Sequence, residues 1–314
     1  MERIAVLTSG GDAPGMNACI RAVVRTAIGR GAKVFGVWHG FDGLIDGNIK
    51  ELNTMDVGGI ISRGGTILRS GRSERFLTEE GRAQAAEQLR IREIKKLIVI
   101  GGDGSLTGAL KLSREQDVHV IGAPGSIDND ISGTDVSIGF DTAVNTAVEA
   151  IDKIRDTAYS HDRVFVIEVM GRRNGYIAVE AGLAGGAEAI LIPEIPYSLR
   201  DVCDKLESAH IRGKRSSIIV VAEGAVSAYN VQKYIQNETG FEVRPVVLGH
   251  VQRGGSPTSF DRVVATHIGA EAVNRIAKEA RDEMIGWTNN KVSHISNEEA
   301  LSTERKVDPA RLLL

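Results

Sequence analysis

The sequence holds two cysteines in 314 residues, Cys19 and Cys203, far apart and in no metal-ligand spacing. A reducing cytoplasm is the simplest setting for such a chain. No apolar run approaches the length needed to cross a bilayer, and Met1 to Leu7 lack a signal peptide's basic start and apolar centre. A cytosolic protein is therefore expected. A charge excess is missing too: the net charge is −3, which argues against nucleic acid or an anionic membrane as the main partner. There is no G-x-x-x-x-G-K-S/T, so this is not an ordinary P-loop enzyme, and no H-E-x-x-H, C-x-x-C or G-x-S-x-G. The nearest approach to a dinucleotide fingerprint, Gly102-x-Gly104-x-x-x-Gly108, is a loose match with an acid inside it, which argues against a dehydrogenase.

Hydrophobic residues make up 42% and charged residues 25% of the chain, the balance of a soluble globular protein long enough for two ordinary domains. The 36 glycines exceed the usual share and fall just after apolar runs, which predicts many tight strand-to-helix turns. The clearest case is Leu97-Ile98-Val99-Ile100-Gly101-Gly102-Asp103-Gly104-Ser105. Its four apolar residues predict a strand buried on both faces. The glycines present backbone N–H groups with no side chain in the way. A helical pattern from Leu106 to Ser113 then sets the turn at a positive helix N-terminus, where phosphate binds well. Asp103 stands in the middle of this anion site. A carboxylate there repels phosphate unless a divalent cation lies between them, so the stretch suggests a Mg-nucleotide site. The bland alternative is a turn with a helix-capping aspartate.

Taken in order, Ile4 to Leu7 predicts a strand, followed by a turn in which Asp12 can cap and Pro14 suits a first helical turn. The next helix turns Ile20, Val23, Val24, Ala27 and Ile28 inward, with Arg21 and Arg25 on one exposed side. Val34 to Trp38 is a strand, and residues 40 to 75 read as irregular. A helix with Ala83, Ala86, Leu89 and Ile94 leads into the 97–100 strand, and Val118 to Gly122 is another strand. A long helix from Asp141 to about Tyr159 sets Val144, Val148, Ile151 and Ile154 on its core face. The strand–glycine–helix pattern then restarts with strands at Val164 to Val169, Ala189 to Ile192, Ser217 to Ala222 and Arg244 to Val247. A helix from about Phe260 to Lys278 and a polar tail finish the chain. Alternation of this kind predicts an α/β fold with parallel, helix-covered sheets, and glycine motifs converging on one cleft at the carboxyl ends of the strands.

Asp128 and Asp130, two apart, fall on one side of an extended backbone. One can accept a proton from an attacking hydroxyl while the other helps organise a metal, or both can simply cap the next element. Arg72, Arg163, Arg172, Arg244, His250 and Arg253 each lie at or next to a predicted strand end or glycine turn, a set that suits phosphoryl groups. Singly, each is as readily a solvated charge or a structural histidine. Glu223 suits hydrogen bonding to sugar hydroxyls, or caps a helix. These residues together describe a Mg²⁺-dependent phosphotransferase with an anionic, hydroxylated acceptor such as a phosphorylated sugar.

The motifs Thr8-Ser9-Gly10-Gly11-Asp12-Ala13-Pro14-Gly15-Met16-Asn17, Gly101-Gly102-Asp103-Gly104-Ser105, Ile127-Asp128-Asn129-Asp130, Met170-Gly171-Arg172 and Leu248-Gly249-His250-Val251-Gln252-Arg253-Gly254-Gly255-Ser256-Pro257 resemble the bacterial ATP-dependent 6-phosphofructokinases, in order and up to about residue 275. The resemblance implies two Rossmann-like three-layer domains with mostly parallel sheets and the active site in the cleft between them. Residues 1–139 plus 252–302 would bind ATP, and 140–251 plus 303–314 fructose 6-phosphate. It implies transfer of the ATP γ-phosphoryl to the sugar's 1-hydroxyl, with Asp128 as base and Asp103 as Mg²⁺ ligand. Gly11, Arg72, Ser73, Gly102, Asp103, Gly104 and Ser105 would hold ATP, and Arg172, Arg72 and the Gly11 N–H would offset charge on the transferring group. Ser126, Ile127, Asp128, Met170, Gly171, Arg172, Glu223, His250 and Arg253 would hold the sugar phosphate. Arg163 and Arg244 would reach it from a neighbouring subunit of a homotetramer.

Pyrophosphate-using relatives carry Asp at the position of Gly104 and Lys at that of Gly125, so glycine at both implies ATP. An ADP/phosphoenolpyruvate effector site is implied at Arg21, Arg25, Arg155, Gly186, Glu188, Arg212 and Lys214. Thr54 stands there where arginine is usual, which predicts a weaker or different response. Ser126 replaces the family threonine and keeps the hydroxyl. A lipid or NAD kinase explains the Gly101–Ser105 motif but not the arginine–histidine set or the Asp128 segment, and the intact pair Asp103 and Asp128 speaks against a nucleotide-sensing protein without chemistry.

Overall fold

The computed structural model describes residues 1–312. The chain begins with β1 (Arg3–Ser9), α1 (Met16–Gly29), β2 (Lys33–Val37), α2 (Gly40–Ile45) and β3 (Ile49–Leu52). It continues with α3 (Glu79–Ile91), β4 (Lys96–Gly101), α4 (Asp103–Glu115), β5 (His119–Pro124) and α5 (Phe140–His161). Next come β6 (Val164–Val169), α6 (Tyr176–Ala184), β7 (Ala189–Leu191), α7 (Leu199–Ile211) and β8 (Ser217–Ala222). The last elements are α8 (Ala228–Thr239), β9 (Val243–Val247), α9 (Ser259–Ile276), β10 (Glu283–Thr288), β11 (Lys291–Ser296) and α10 (Asn297–Ser302). Two compact units result: Met1–Thr142 with Arg253–Arg305, and Ala143–Gln252 with the tail from Lys306. Leu313 and Leu314, the last positions of the predicted second domain, lie outside the described residues.

In the first unit the sheet order is β11-β10-β5-β4-β1-β2-β3. β2, β1, β4, β5 and β10 run parallel, and β3 and β11 pair antiparallel at the two edges. The apolar run in β4 is the reason for its central place: Leu97, Ile98, Val99 and Ile100 are all fully buried, each worth roughly 1.5–3 kcal/mol. One side of the sheet packs Leu7, Val37, Leu97 and Val99 against Phe41, Leu44 and Leu89. Caps mark where helices begin: Thr78 accepts from Gly81 N at 3.0 Å to open α3, and Thr258 accepts from Asp261 N at 3.2 Å to open α9.

The second unit is built on a wholly parallel sheet in the order β7-β8-β6-β9. Val164, Val166, Ile219 and Val221 face Val202, Leu206, Val231 and Ile235 of α7 and α8 in its core. Side chains of Ser198 and Ser227 cap those two helices. No helix among the described residues is long and apolar enough to cross a membrane.

Several sequence expectations need correction. Residues 40–75 are not wholly irregular, because α2 and the antiparallel edge strand β3 form there. The polar tail adds β10 and β11 to the first sheet. Helix α3 buries Ala85 rather than Ala83, and Ile94 packs from the turn beyond it. Helix α5 buries Ala143, Ala147 and Ile151, with Val144, Val148 and Ile154 only half-buried. Asp12 does not cap α1; Gly15, with φ 107°, occupies that position without a side-chain cap.

Candidate active site

In the first unit the chain leaves β1 for β2 on one side and leaves β4 for β5 on the other, so a topological switch point lies between β1 and β4. Ser9 pairs with Gly101, and Gly101 with Pro124, so three turns leave the carboxyl ends of β1, β4 and β5 at one level. These are the turns carrying Gly11, Gly102–Ser105 and Ser126–Asp130. The first is tied to the segment at 70–71, with Gly10 N donating to Gly71 O at 3.1 Å and Ser70 Oγ to Gly10 O at 2.8 Å, and the third to the second, with Gly125 N donating to Gly101 O at 3.0 Å. A Cβ at Gly11 would run into the Arg253 guanidinium, whose Nη1 donates to Asp12 O at 3.3 Å, so a side chain there requires that guanidinium to move.

The helix predicted from Leu106 reaches back three residues further, to Asp103. Asp103 is the first residue of α4, exposed, with Oδ1 accepting from Gly104 N at 2.6 Å. Arg72 is exposed, and Ser73 Oγ donates to Asp42 Oδ1 at 2.5 Å while accepting from Phe76 N at 3.1 Å. Gly104 and Gly125 differ sharply. A Cβ at Gly104 meets nothing within 4 Å, whereas one at Gly125 lies 3.0 Å from Met16 Cε and 3.2 Å from Ile100 Cγ2.

The Asp128 loop is not simply extended, because Asn129 between the two acids is left-handed, with φ 55°. Asn129 is 2% exposed and pins the loop: its Oδ1 accepts from Ser137 N at 2.8 Å and its Nδ2 donates to Asp135 O at 3.1 Å. Asp128 N donates to Ser126 Oγ at 3.2 Å, and Ile127 is buried. Burial first, then the charges of Asp128 and Asp103, push the Asp130 carboxyl up to about 6. Three acids from two turns therefore share one field. Among the described residues no three Asp, Glu, His or Cys side chains group closely enough to ligate an ion alone. This acidic field with Asp103 exposed at its edge fits Mg²⁺ bound by one or two carboxylates and otherwise by phosphate oxygens and water.

The second unit repeats the device. Its switch point lies between β6 and β9, and Val169 pairs with Ala222, and Glu168 with Val247. Met170–Arg172, Glu223 and Gly249–His250 therefore leave the carboxyl ends of β6, β8 and β9 side by side. Glu223 N donates to Val169 O at 2.9 Å, Gly224 N to Gly171 O at 3.1 Å and Leu248 N to Glu168 O at 3.0 Å. Arg172, Glu223 and His250 are exposed. Arg163 and Arg244 do not join them. Arg163 precedes β6 and Arg244 pairs with Phe165, at the amino end of the sheet; these are the two residues that the resemblance assigns to a neighbouring subunit's sugar phosphate. There Glu242 Oε1 lies 2.9 Å from Arg163 Nε and 2.6 Å from Arg244 Nη2, and the two cations hold its carboxyl below the usual range.

Of the predicted effector residues, the second unit brings five together. Arg155 donates to the carbonyls of Gly185 and Gly186, Glu188 Oε2 accepts from Ile218 N at 2.5 Å, and Lys214 pairs with Glu188 beside Arg212 at the end of α7. Arg21 is half-buried and Arg25 exposed on α1, and Thr54 is exposed after β3. The sequence reading missed two contributors. Gln252, fully buried, accepts from Met170 N at 2.8 Å, and Arg305 reaches the Asp128 loop from the tail. Gln252 lay inside a quoted motif, but nothing in the tail pointed to Arg305.

The family model for phosphofructokinase matches residues 3–276. ATP-dependent 6-phosphofructokinase of Brevibacillus brevis is 54% identical over 98% of this chain and 96% of its own length. That of Thermotoga neapolitana is 54% identical over 98% and 97%. The solved structure of phosphofructokinase from Saccharomyces cerevisiae superposes with a TM-score of 0.91 at 39% identity, covering 96% of this chain. This chain spans 45% of the length of that yeast chain. Matched along most of its length by model, sequence and fold, the chain belongs to the phosphofructokinase family.

Proposed function

We propose that this chain transfers the γ-phosphoryl group of ATP to the 1-hydroxyl of fructose 6-phosphate, giving fructose 1,6-bisphosphate and ADP. The observation that carries this reading is the meeting of three turns at the ends of β1, β4 and β5, with Asp103, Asp128 and Asp130 in one field. Asp128 takes the proton of the 1-hydroxyl as that oxygen bonds to the γ-phosphorus; the bond to the bridging oxygen of ADP breaks. Asp103 is the residue that would hold Mg²⁺, which when bound neutralises phosphate charge. The Gly11 N–H, Arg72 and Arg172 offset the charge on the transferring group. Gly102–Ser105, Arg72 and Ser73 hold the nucleotide. Ser126, Ile127, Asp128, Met170–Arg172, Glu223, His250 and Arg253 hold the sugar phosphate.

Arg163 and Arg244 act on the sugar phosphate of a neighbouring subunit in a homotetramer, a role supported by their place at the opposite end of the second sheet from His250. ATP rather than pyrophosphate is the donor. The open space at Gly104 supports this, since the chain's own packing does not require glycine there. The Arg155–Gly186–Glu188–Lys214 cluster takes an ADP- or phosphoenolpyruvate-type effector, with a response weakened by Thr54. The compartment is the reducing cytoplasm, which suits two buried free thiols, Cys19 and Cys203. The test supplies ATP, Mg²⁺ and fructose 6-phosphate and follows the bisphosphate. No product from the wild-type chain, or faster turnover with pyrophosphate, overturns the reading.

A further inference from the structure

We infer that Arg305 is a positioning residue for the loop that carries Asp128 and Asp130, fixing both carboxylates through the loop's backbone carbonyls. Arg305 lies 176 positions from Asn129 in sequence, yet its Nη1 donates to Asp135 O at 2.7 Å and to Asn129 O at 3.4 Å. Its own backbone N donates to Asp130 O at 3.3 Å. Neighbours extend the clasp: Glu304 forms an antiparallel bridge with Ile131, and Thr303 Oγ1 donates to Ser132 Oγ at 3.1 Å.

The loop needs such a holder. It runs from β5 to α5 without a strand or helix of its own, and it turns on a left-handed, non-glycine residue, Asn129. Asparagine tolerates that conformation as a single residue, and the contacts around it hold it there. The Asn129 side chain fastens the turn from within. Arg305 fastens it from outside, on the carbonyls of residues 129, 130 and 135, through its backbone N and through Nη1 of a half-buried guanidinium, which reaches two of them at once. Asp128 and Asp130 flank Asn129 directly, so a rotation there swings both acids. A general base must sit within hydrogen-bond reach of its proton, and a displacement of about 1 Å costs roughly a hundredfold in rate. The contacts of Arg305 to the carbonyls of residues 129, 130 and 135 let it act through the loop backbone.

This inference rests on the proposed role of Asp128, and the test separates the two. Arg305→Met and Arg305→Lys are made in the full chain. Steady-state kinetics with ATP and fructose 6-phosphate are read together with amide hydrogen exchange of residues 127–137. The expected result for Arg305→Met is a fall in kcat of tenfold or more, both KM values within threefold of wild type, and faster exchange confined to the loop. Arg305→Lys, which keeps one cationic donor, should recover part of that kcat. A folded Arg305→Met with wild-type kcat overturns the inference, whether or not exchange quickens. Where Arg305→Met does not fold, Arg305→Lys carries the test: a threefold or larger fall in kcat supports it and none overturns it. A wild-type chain inactive on fructose 6-phosphate removes the reading of Asp128. Exchange then decides whether Arg305 holds the loop: unchanged exchange in the variant refutes the contact and faster exchange upholds it.

Discussion

The two units use one architectural device with opposite chemistry. Each has a sheet with a parallel centre and a switch point beside its first strand, β1 in one and β6 in the other, and each sends short glycine-bearing turns out at the carboxyl ends. The turns of the first unit carry Asp103, Asp128 and Asp130 beside bare backbone N–H groups; those of the second carry Arg172, Glu223 and His250. The acidic set suits metal and proton transfer, and the mixed cationic set suits a sugar phosphate. Sheet topology thus fixes where loops gather, while loop residues alone fix what they do there.

The sharpest way to break this contrast is Asp128→Asn. If the first unit supplies the base, kcat should fall by about 10²–10⁴ with KM for fructose 6-phosphate nearly unchanged, in an assay of bisphosphate formation. His250→Ala should do the reverse. Losing a hydrogen bond to a charged group is worth about 1.5–3 kcal/mol, so KM for fructose 6-phosphate should rise about tenfold or more while KM for ATP holds.

Within the first unit, Gly125→Ala and Gly104→Ala separate packing from ligand fit. Alanine at Gly125 presses on Met16 and should lower the stability seen in urea titration by about 1–3 kcal/mol. Alanine at Gly104, inside α4 with open space around it, should be neutral or stabilising by up to about 1 kcal/mol. Equal losses at both positions would remove the distinction. The smallest expected effect belongs to Thr54→Arg: one added guanidinium should tighten ADP or phosphoenolpyruvate binding by several-fold in calorimetry, leaving basal kcat unchanged.

How much was legible depended on burial. β6 and β8 appear over the predicted residues, Val164–Val169 and Ser217–Ala222, because short, mostly apolar, β-branched runs bury well in a parallel sheet. β10 was lost in the polar tail because its parallel pairing with β5 covers only Glu283 and Met284, and β11 is an edge strand with mostly exposed or half-buried residues. For the site, motif order brought out Gly11, Asp103, Asp128, Arg172 and His250 as candidates. Asn129 was quoted without a role, since a left-handed φ leaves no periodic signature.

The sequence by itself determined the α/β class, the buried strands and the chemistry-bearing turns, because hydrophobic period and glycine placement are local properties of the chain. Tertiary structure alone decided three things. It buried Asp130 and brought Asp103 as well as Asp128 near it, and burial first, then those charges, raise its carboxyl to about 6. It sent Arg163 and Arg244 to the amino end of their sheet, where they share Glu242. It also brought Arg305 from the tail to the Asp128 loop. Each depends on residues distant in sequence meeting in space, where burial and Coulomb terms act, and local pattern does not encode such meetings.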